Sequence, residues 1–156
     1  MGVAGSGKTT VGRRLAGALG WEFHDADEFH PPGNIAKMSA GIPLDDGDRA
    51  PWLAAIRSRI EGSLARDEGA VFTCSALREA YRRTIVGGSA RVRLVHLQGD
   101  PELIRTRMRL RQGHFMKEEM IRSQFEALEA PSNAITVDIA GSPEEIVRRI
   151  RAELKV

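Results

Sequence analysis

Gly2-Val3-Ala4-Gly5-Ser6-Gly7-Lys8-Thr9 runs directly into Thr10-Val11-Gly12-Arg13-Arg14-Leu15-Ala16-Gly17-Ala18-Leu19. The first eight residues fit G-x-x-x-x-G-K-[ST], a loop whose backbone N–H groups wrap a phosphate at a helix N-terminus. Val11, Leu15 and Leu19 recur at i, i+4 and i+8, the stripe of a helix buried on one side, so the helix that the motif requires is present. Small residues let the chain close around the anion, Lys8 reaches the β and γ oxygens, and the Thr9 hydroxyl is placed to ligate Mg²⁺. Gly2, Val3, Ala4, Gly5, Ser6, Gly7, Lys8, Thr9 and Thr10 are therefore the predicted nucleotide site. A loop of this kind normally follows a buried strand. Only Met1 precedes Gly2 here, so a truncated first strand is expected.

Outward from the loop, strand and helix signals alternate. Strands are predicted at 21–24, 70–74, 91–97 and 135–139. Helices are predicted at 50–65 with Pro51 in the first turn, after Ser75 as cap, from Asp100-Pro101 through Arg111, and at 117–128. A last helix follows the capping box Ser142-Pro143-Glu144-Glu145. Such alternation implies an α/β fold with a parallel sheet flanked by helices. The 156 residues fit a single domain, 1–156. Glycines and prolines break residues about 25–50 into a polar insert, where α/β domains carry binding groups.

Composition closes off other classes. A net charge of +2 gives little drive toward nucleic acid. No apolar run approaches the roughly 20 residues needed to span a membrane. The single cysteine, Cys74, excludes a disulfide framework and reads as a small buried hydrophobe. With no apolar leader after Met1, a cytoplasmic setting is expected. His24 and His96 fall in strands and read as packed, and Trp52 reads as core.

Asp25 and Asp27 follow the second predicted strand, where period-2 spacing sends both to one face at the ligand end of the sheet. Acidic residues there also cap the next turn. Beside a phosphate loop, one carboxylate suits Mg²⁺ and the other a proton from a substrate hydroxyl. Asp27 is the candidate base, and Asp25 joins Thr9 on the metal side. Of 19 Arg and 4 Lys, Arg107 and Arg111 share a helix face and lead into Gln112-Gly113-His114-Phe115. That pattern suits a lid over about 107–122 that brings charge to a transferring phosphoryl group.

Several blocks together carry a resemblance: the phosphate loop; Asp25-Ala26-Asp27 with His30-Pro31 and Asn34-Ile35-Ala36-Lys37-Met38; Gly41-Ile42-Pro43-Leu44 with Asp48-Arg49-Ala50-Pro51-Trp52-Leu53; Cys74-Ser75-Ala76-Leu77 with Tyr81-Arg82; and Arg111-Gln112-Gly113-His114-Phe115 with Ser123-Gln124-Phe125. In these the chain resembles the small P-loop gluconokinases, relatives of shikimate kinase. Arg78 departs from the pattern, standing where those proteins usually carry Lys.

The resemblance implies a fold of the nucleoside monophosphate kinase type, phosphorylation of D-gluconate by ATP with Mg²⁺, and a homodimer. An anionic polyol needs cations for its carboxylate, for which Lys37, Arg49 and Arg82 are candidates. His30, His114 and Gln124 are candidates for its hydroxyls. A kinase for another small acid such as shikimate shares the same features. A P-loop switch module is the rival of another class, but both Asn residues, Asn34 and Asn133, lack the Asn-Lys-x-Asp context of a guanine reader.

Overall fold

The computed structural model describes residues 1–110 and 118–156. Helix α1 (Lys8–Leu19) buries Val11 and Leu15 of the predicted stripe, with Ala16 beside them, and leaves Leu19 half-buried. Strand β1 (Glu22–Asp25) passes into a 3-10 turn (Ala26–Phe29), and a short helix α2 (Pro32–Ser39) forms within the polar insert. After it come α3 (Asp46–Ala65), β2 (Ala70–Thr73), α4 (Glu79–Val86) and β3 (Val95–Gln98). The described chain ends with α5 (Pro101–Leu110), α6 (Glu118–Ala127), β4 (Ile135–Asp138) and α7 (Pro143–Leu154).

Three boundaries differ from the sequence reading. Helix α3 starts at Asp46 because Asp45 and Asp48 cap each other's backbone N–H groups, which leaves Pro51 inside the helix instead of in its first turn. Ser75 does not cap α4, because residues 74–78 form a loop under the phosphate site. There the Ser75 carbonyl accepts from Gly2 N–H at 3.3 Å, and the Glu129 carboxylate accepts from Glu79 N–H. Strand β3 begins at Val95 and not Arg91. Upstream of it the chain turns, with Val92 N–H bonded to the Ser89 carbonyl at 3.1 Å and the Arg91 guanidinium on the Leu64 carbonyl at 3.1 Å.

All strand pairings described are parallel. Phe23 of β1 lies opposite Val71 of β2, and Leu97 of β3 opposite Val137 of β4. Met1 and Gly2 lie between these pairs. The Met1 amine donates to the Val95 carbonyl at 2.6 Å, Leu97 N–H donates to the Met1 carbonyl at 2.9 Å, and Gly2 reaches the loop after β2. The first strand is thus a stub between β2 and β3. Beside it lies a cavity of about 540 Å³ whose walls include Leu15, Ile60, Val71, Leu94 and Ile150. Burial pushes the Met1 amine down to about 5.

The helices cover this sheet through two apolar clusters. One joins Val11 and Leu15 of α1 to Ile104, Ile121, Ile146 and Ile150. The other joins Trp52, Leu53, Ile56 and Ile60 of α3 to Ala26 and Cys74. Ligand-facing loops are left at the carboxyl ends of β1 and β2, beside the stub and the start of α1.

Candidate functional site

Two glycines fix the shape of the phosphate loop. At Gly2 (φ +152°) a Cβ would sit 2.8 Å from the Leu97 carbonyl, and at Gly5 (φ +79°) one would meet the Met108 thioether at 2.9 Å. Only glycine meets both the backbone and the space requirement. No side chain caps the N-terminus of α1. Lys8 Nζ donates to the Val3 carbonyl at 2.9 Å, which keeps the ammonium folded over the loop. Ser6 is fully buried within the loop, and Thr10 is exposed.

At the end of β1 the Asp25 carboxylate has two partners. Its Oδ2 accepts from the Thr9 hydroxyl at 3.1 Å, and its Oδ1 accepts from Asp27 N–H at 3.2 Å. Thr9 and Asp25 together offer hard oxygen donors at the phosphate loop, a set that fits Mg²⁺, which takes one or two protein oxygens and completes its shell with phosphates and water. Among the described residues no cluster of three or more His, Cys, Asp or Glu could hold a metal alone. Asp25 caps the 3-10 turn through its bond from Asp27 N–H, so Asp27 comes close to it through that turn and not by strand alternation. Burial first, and then the Asp25 charge, push the Asp27 carboxyl above its ordinary value, while His30 and Lys8 pull it the other way. A carboxylate so raised is a better proton acceptor near neutral pH.

His30 lies on the same turn's exit. Its ring stacks on Trp52 with centroids 4.4 Å apart and planes at 11°, and its Nδ1 is 3.3 Å from Asn34 Nδ2. Burial lowers the His30 pKa against the opposing pull of Asp27, and Arg49 lowers it further. Arg49 donates to the Tyr81 hydroxyl at 3.4 Å, and that hydroxyl donates to Asp46 Oδ1 at 2.6 Å. Arg49 and Arg78 stand 5.7 and 5.9 Å from the Tyr81 ring centre. The site therefore has an acidic side at Asp25 and Asp27 and, around Tyr81, a mixed group in which Arg49 and Arg78 stand with the Asp46 carboxylate, 3.8 Å from Arg78.

The remaining predicted residues are placed as follows. Lys37 is paired with Asp48 at 2.7 Å on the rim of the insert. Arg82 is buried, with Nη1 donating to the Ala76 and Leu77 carbonyls at 3.0 and 2.9 Å, so it braces the loop after β2. Gln124 reaches the phosphate loop, where its Oε1 accepts from Ala4 N–H at 2.6 Å. Arg107 donates to the Ile139 carbonyl at 2.7 Å. Arg111 and His114, and with them the middle of the expected lid, lie outside the described residues. Cys74 is buried and its thiol is pushed up to about 11 by burial, which makes it chemically quiet. His96 is buried and His24 packs on Phe72 at 4.8 Å, as their strand positions predict. Sequence reading did not place Arg78 beside Arg49, nor foresee that Trp52 Nε1 donates to the Ala26 carbonyl at 2.7 Å. The signal for Trp52 was available, because a buried indole N–H needs an acceptor.

Comparison with known proteins bears on this geometry. The family model described as shikimate kinase matches residues 4–155. The chain is 41% identical to a gluconokinase of Gluconobacter oxydans (strain 621H) over 98% of this chain and 90% of that one. It is 46% identical to the thermosensitive gluconokinase of Escherichia coli (strain K12), over 84% of this chain and 70% of that one. A crystal structure of a gluconokinase from Sinorhizobium meliloti 1021 superposes with a TM-score of 0.87 at 44% identity, covering 99% of this chain and 89% of that one. An APS kinase from Mycobacterium tuberculosis, at 16% identity and a TM-score of 0.68, shares the fold.

Proposed function

The chain belongs to the shikimate kinase family and, within it, to the gluconokinases, and on that footing we propose how its residues divide the transfer of a phosphoryl group from ATP to gluconate. The reaction converts D-gluconate and ATP to 6-phospho-D-gluconate and ADP. The observation that carries the assignment of roles is the meeting, at the end of β1, of a phosphate loop and Asp27, an exposed residue whose carboxyl is held above its ordinary pKa by partial desolvation and by the Asp25 charge.

Backbone N–H groups of the loop and of the first turn of α1 hold the phosphates, and Lys8 leaves the Val3 carbonyl to meet their oxygens. Thr9 and Asp25 would hold Mg²⁺, which would supply positive charge to neutralise the nucleotide's phosphates. Arg49, with Arg78 across Tyr81, faces the acceptor's carboxylate, and His30 is placed for a polyol hydroxyl. Asp27 takes the proton of the terminal hydroxyl as its oxygen bonds to the γ-phosphorus and the bond from that phosphorus to the ADP oxygen breaks. Lys37 and Arg82 support the site through Asp48 and the loop carbonyls.

Asp27→Asn tests the base directly: turnover should be lost while ATP still binds, and retained turnover removes Asp27 from the role. Homodimer formation and a cytoplasmic setting belong to the same proposal. Light scattering in solution tests the first. Among the described residues no helix is long and apolar enough to cross a membrane.

A further inference from the structure

One peptide unit lies between the two site carboxylates, the Ala26–Asp27 amide, and the fold grips both of its ends. Its N–H donates to Asp25 Oδ1 at 3.2 Å, and its carbonyl accepts from Trp52 Nε1 at 2.7 Å. Ala26 is fully buried, so without the indole that carbonyl faces an apolar cluster with no water to replace the donor. Trp52 is itself buried at 7% exposure, on the first turns of α3, and its ring face carries the stacked His30. A single side chain thus fixes the backbone that aims Asp27 and the ring that faces the acceptor.

We propose that Trp52 is a positioning residue for phosphoryl transfer, setting Asp27 through its N–H and His30 through its ring face. This rests on the roles given above to Asp27 and His30. The stack and the hydrogen bond are separable, because one uses the π-face and the other the ring edge. Loss of the N–H alone frees the Ala26–Asp27 unit to shift, and small displacements at a reacting group are costly in rate. The nucleotide is held elsewhere, so its KM should not follow.

The test uses the full chain carrying Trp21→Phe, which leaves Trp52 as the sole tryptophan of the two present. Replacing Trp52 by benzothienylalanine keeps the bicyclic shape and exchanges N–H for sulfur; Trp52→Phe is the genetic counterpart. The expected result is a fall in kcat of about tenfold or more with KM for ATP within about twofold, at an unchanged circular dichroism spectrum. A kcat within about twofold of the parent in the sulfur analogue overturns the proposal. Gluconate should also change Trp52 fluorescence, and His30→Ala should abolish that change. Emission that does not respond to gluconate overturns the ring-face half. Asp27→Asn is assayed in parallel. If it retains turnover while the sulfur analogue is slow, the base assignment fails and takes with it the Asp27 half of the proposal, and the fluorescence response alone decides the His30 half.

Discussion

Adding four apolar β-forming residues ahead of Met1 should raise the melting temperature markedly, and the size of the effect follows from the split sheet. Met1 and Gly2 already bond to β3 and to the loop after β2, so an added segment is led between β2 and β3 into the cavity of about 540 Å³. Each apolar side chain buried there gains about 1.5–3 kcal/mol. Ordering each residue's backbone costs about 1–2 kcal/mol, and each ladder hydrogen bond returns about 0.5–1.5 kcal/mol. The net gain is a few kcal/mol. Extension also turns the Met1 amine into an amide that donates without titrating. That amine sits at about 5 in the fold against an ordinary 8.0. Between those pH values the unfolded chain binds a proton that the folded chain does not, so stability rises with pH across the window. Burying the amine costs about 1 kcal/mol at pH 7 and about 4 kcal/mol at pH 5. At about 2–4 °C per kcal/mol, the extended chain should melt roughly 10 °C higher at pH 7. Its advantage should widen as the pH falls from 8 to 5. His30, also lowered by burial, acts equally in both proteins and cancels, whereas His96, lowered by burial and then by the Met1 amine charge, loses the second pull on extension, which widens the difference in the same direction. Thermal unfolding followed by circular dichroism at several pH values reads this out. Equal melting temperatures, or a difference that does not grow toward pH 5, would refute the reasoning.

Other perturbations separate bracing residues from reacting ones. Arg82→Ala removes two charge-assisted bonds to buried carbonyls and should cost about 3 kcal/mol of stability, seen as a lower denaturant midpoint. Arg49→Ala should instead raise the gluconate KM about tenfold or more at an unchanged midpoint, the loss expected of the charge-assisted acceptor contact proposed for it. Lys8→Ala should remove both turnover and triphosphate affinity, the second measured by calorimetry. Because Asp27 is held above its ordinary value of 3.8, kcat/KM for gluconate should fall on acidification along a limb above that pH. A limb at or below that value would contradict the burial argument.

The phosphate loop, its helix and the strand–helix alternation were legible because each is written in local spacing: Gly2 to Thr9 by motif, α1 and α7 by period and cap. The nearness of Asp25 and Asp27 was legible too, although a 3-10 turn produces it and not a strand. Boundaries failed where a distant partner decides them. The N-terminus of α4 finds its acceptor on Glu129, 50 residues on, and β3 starts late because Arg91 is drawn back to the Leu64 carbonyl.

Charge in the sequence marks a residue as able to meet an anion, and only the fold says whether it faces one. Lys37 is held by Asp48 and Arg82 by two carbonyls, while Arg78, the departure from the pattern, stands across Tyr81 from Arg49. Gln124 reaches Ala4 across 120 residues, and Trp52 reaches Ala26 across 26. The sequence by itself determined the nucleotide loop, the layer order and the residues able to do chemistry, because these depend on neighbours in the chain. Only the tertiary structure decided which of those residues face the reaction and which brace it, because a buried donor takes the acceptor that packing brings within reach.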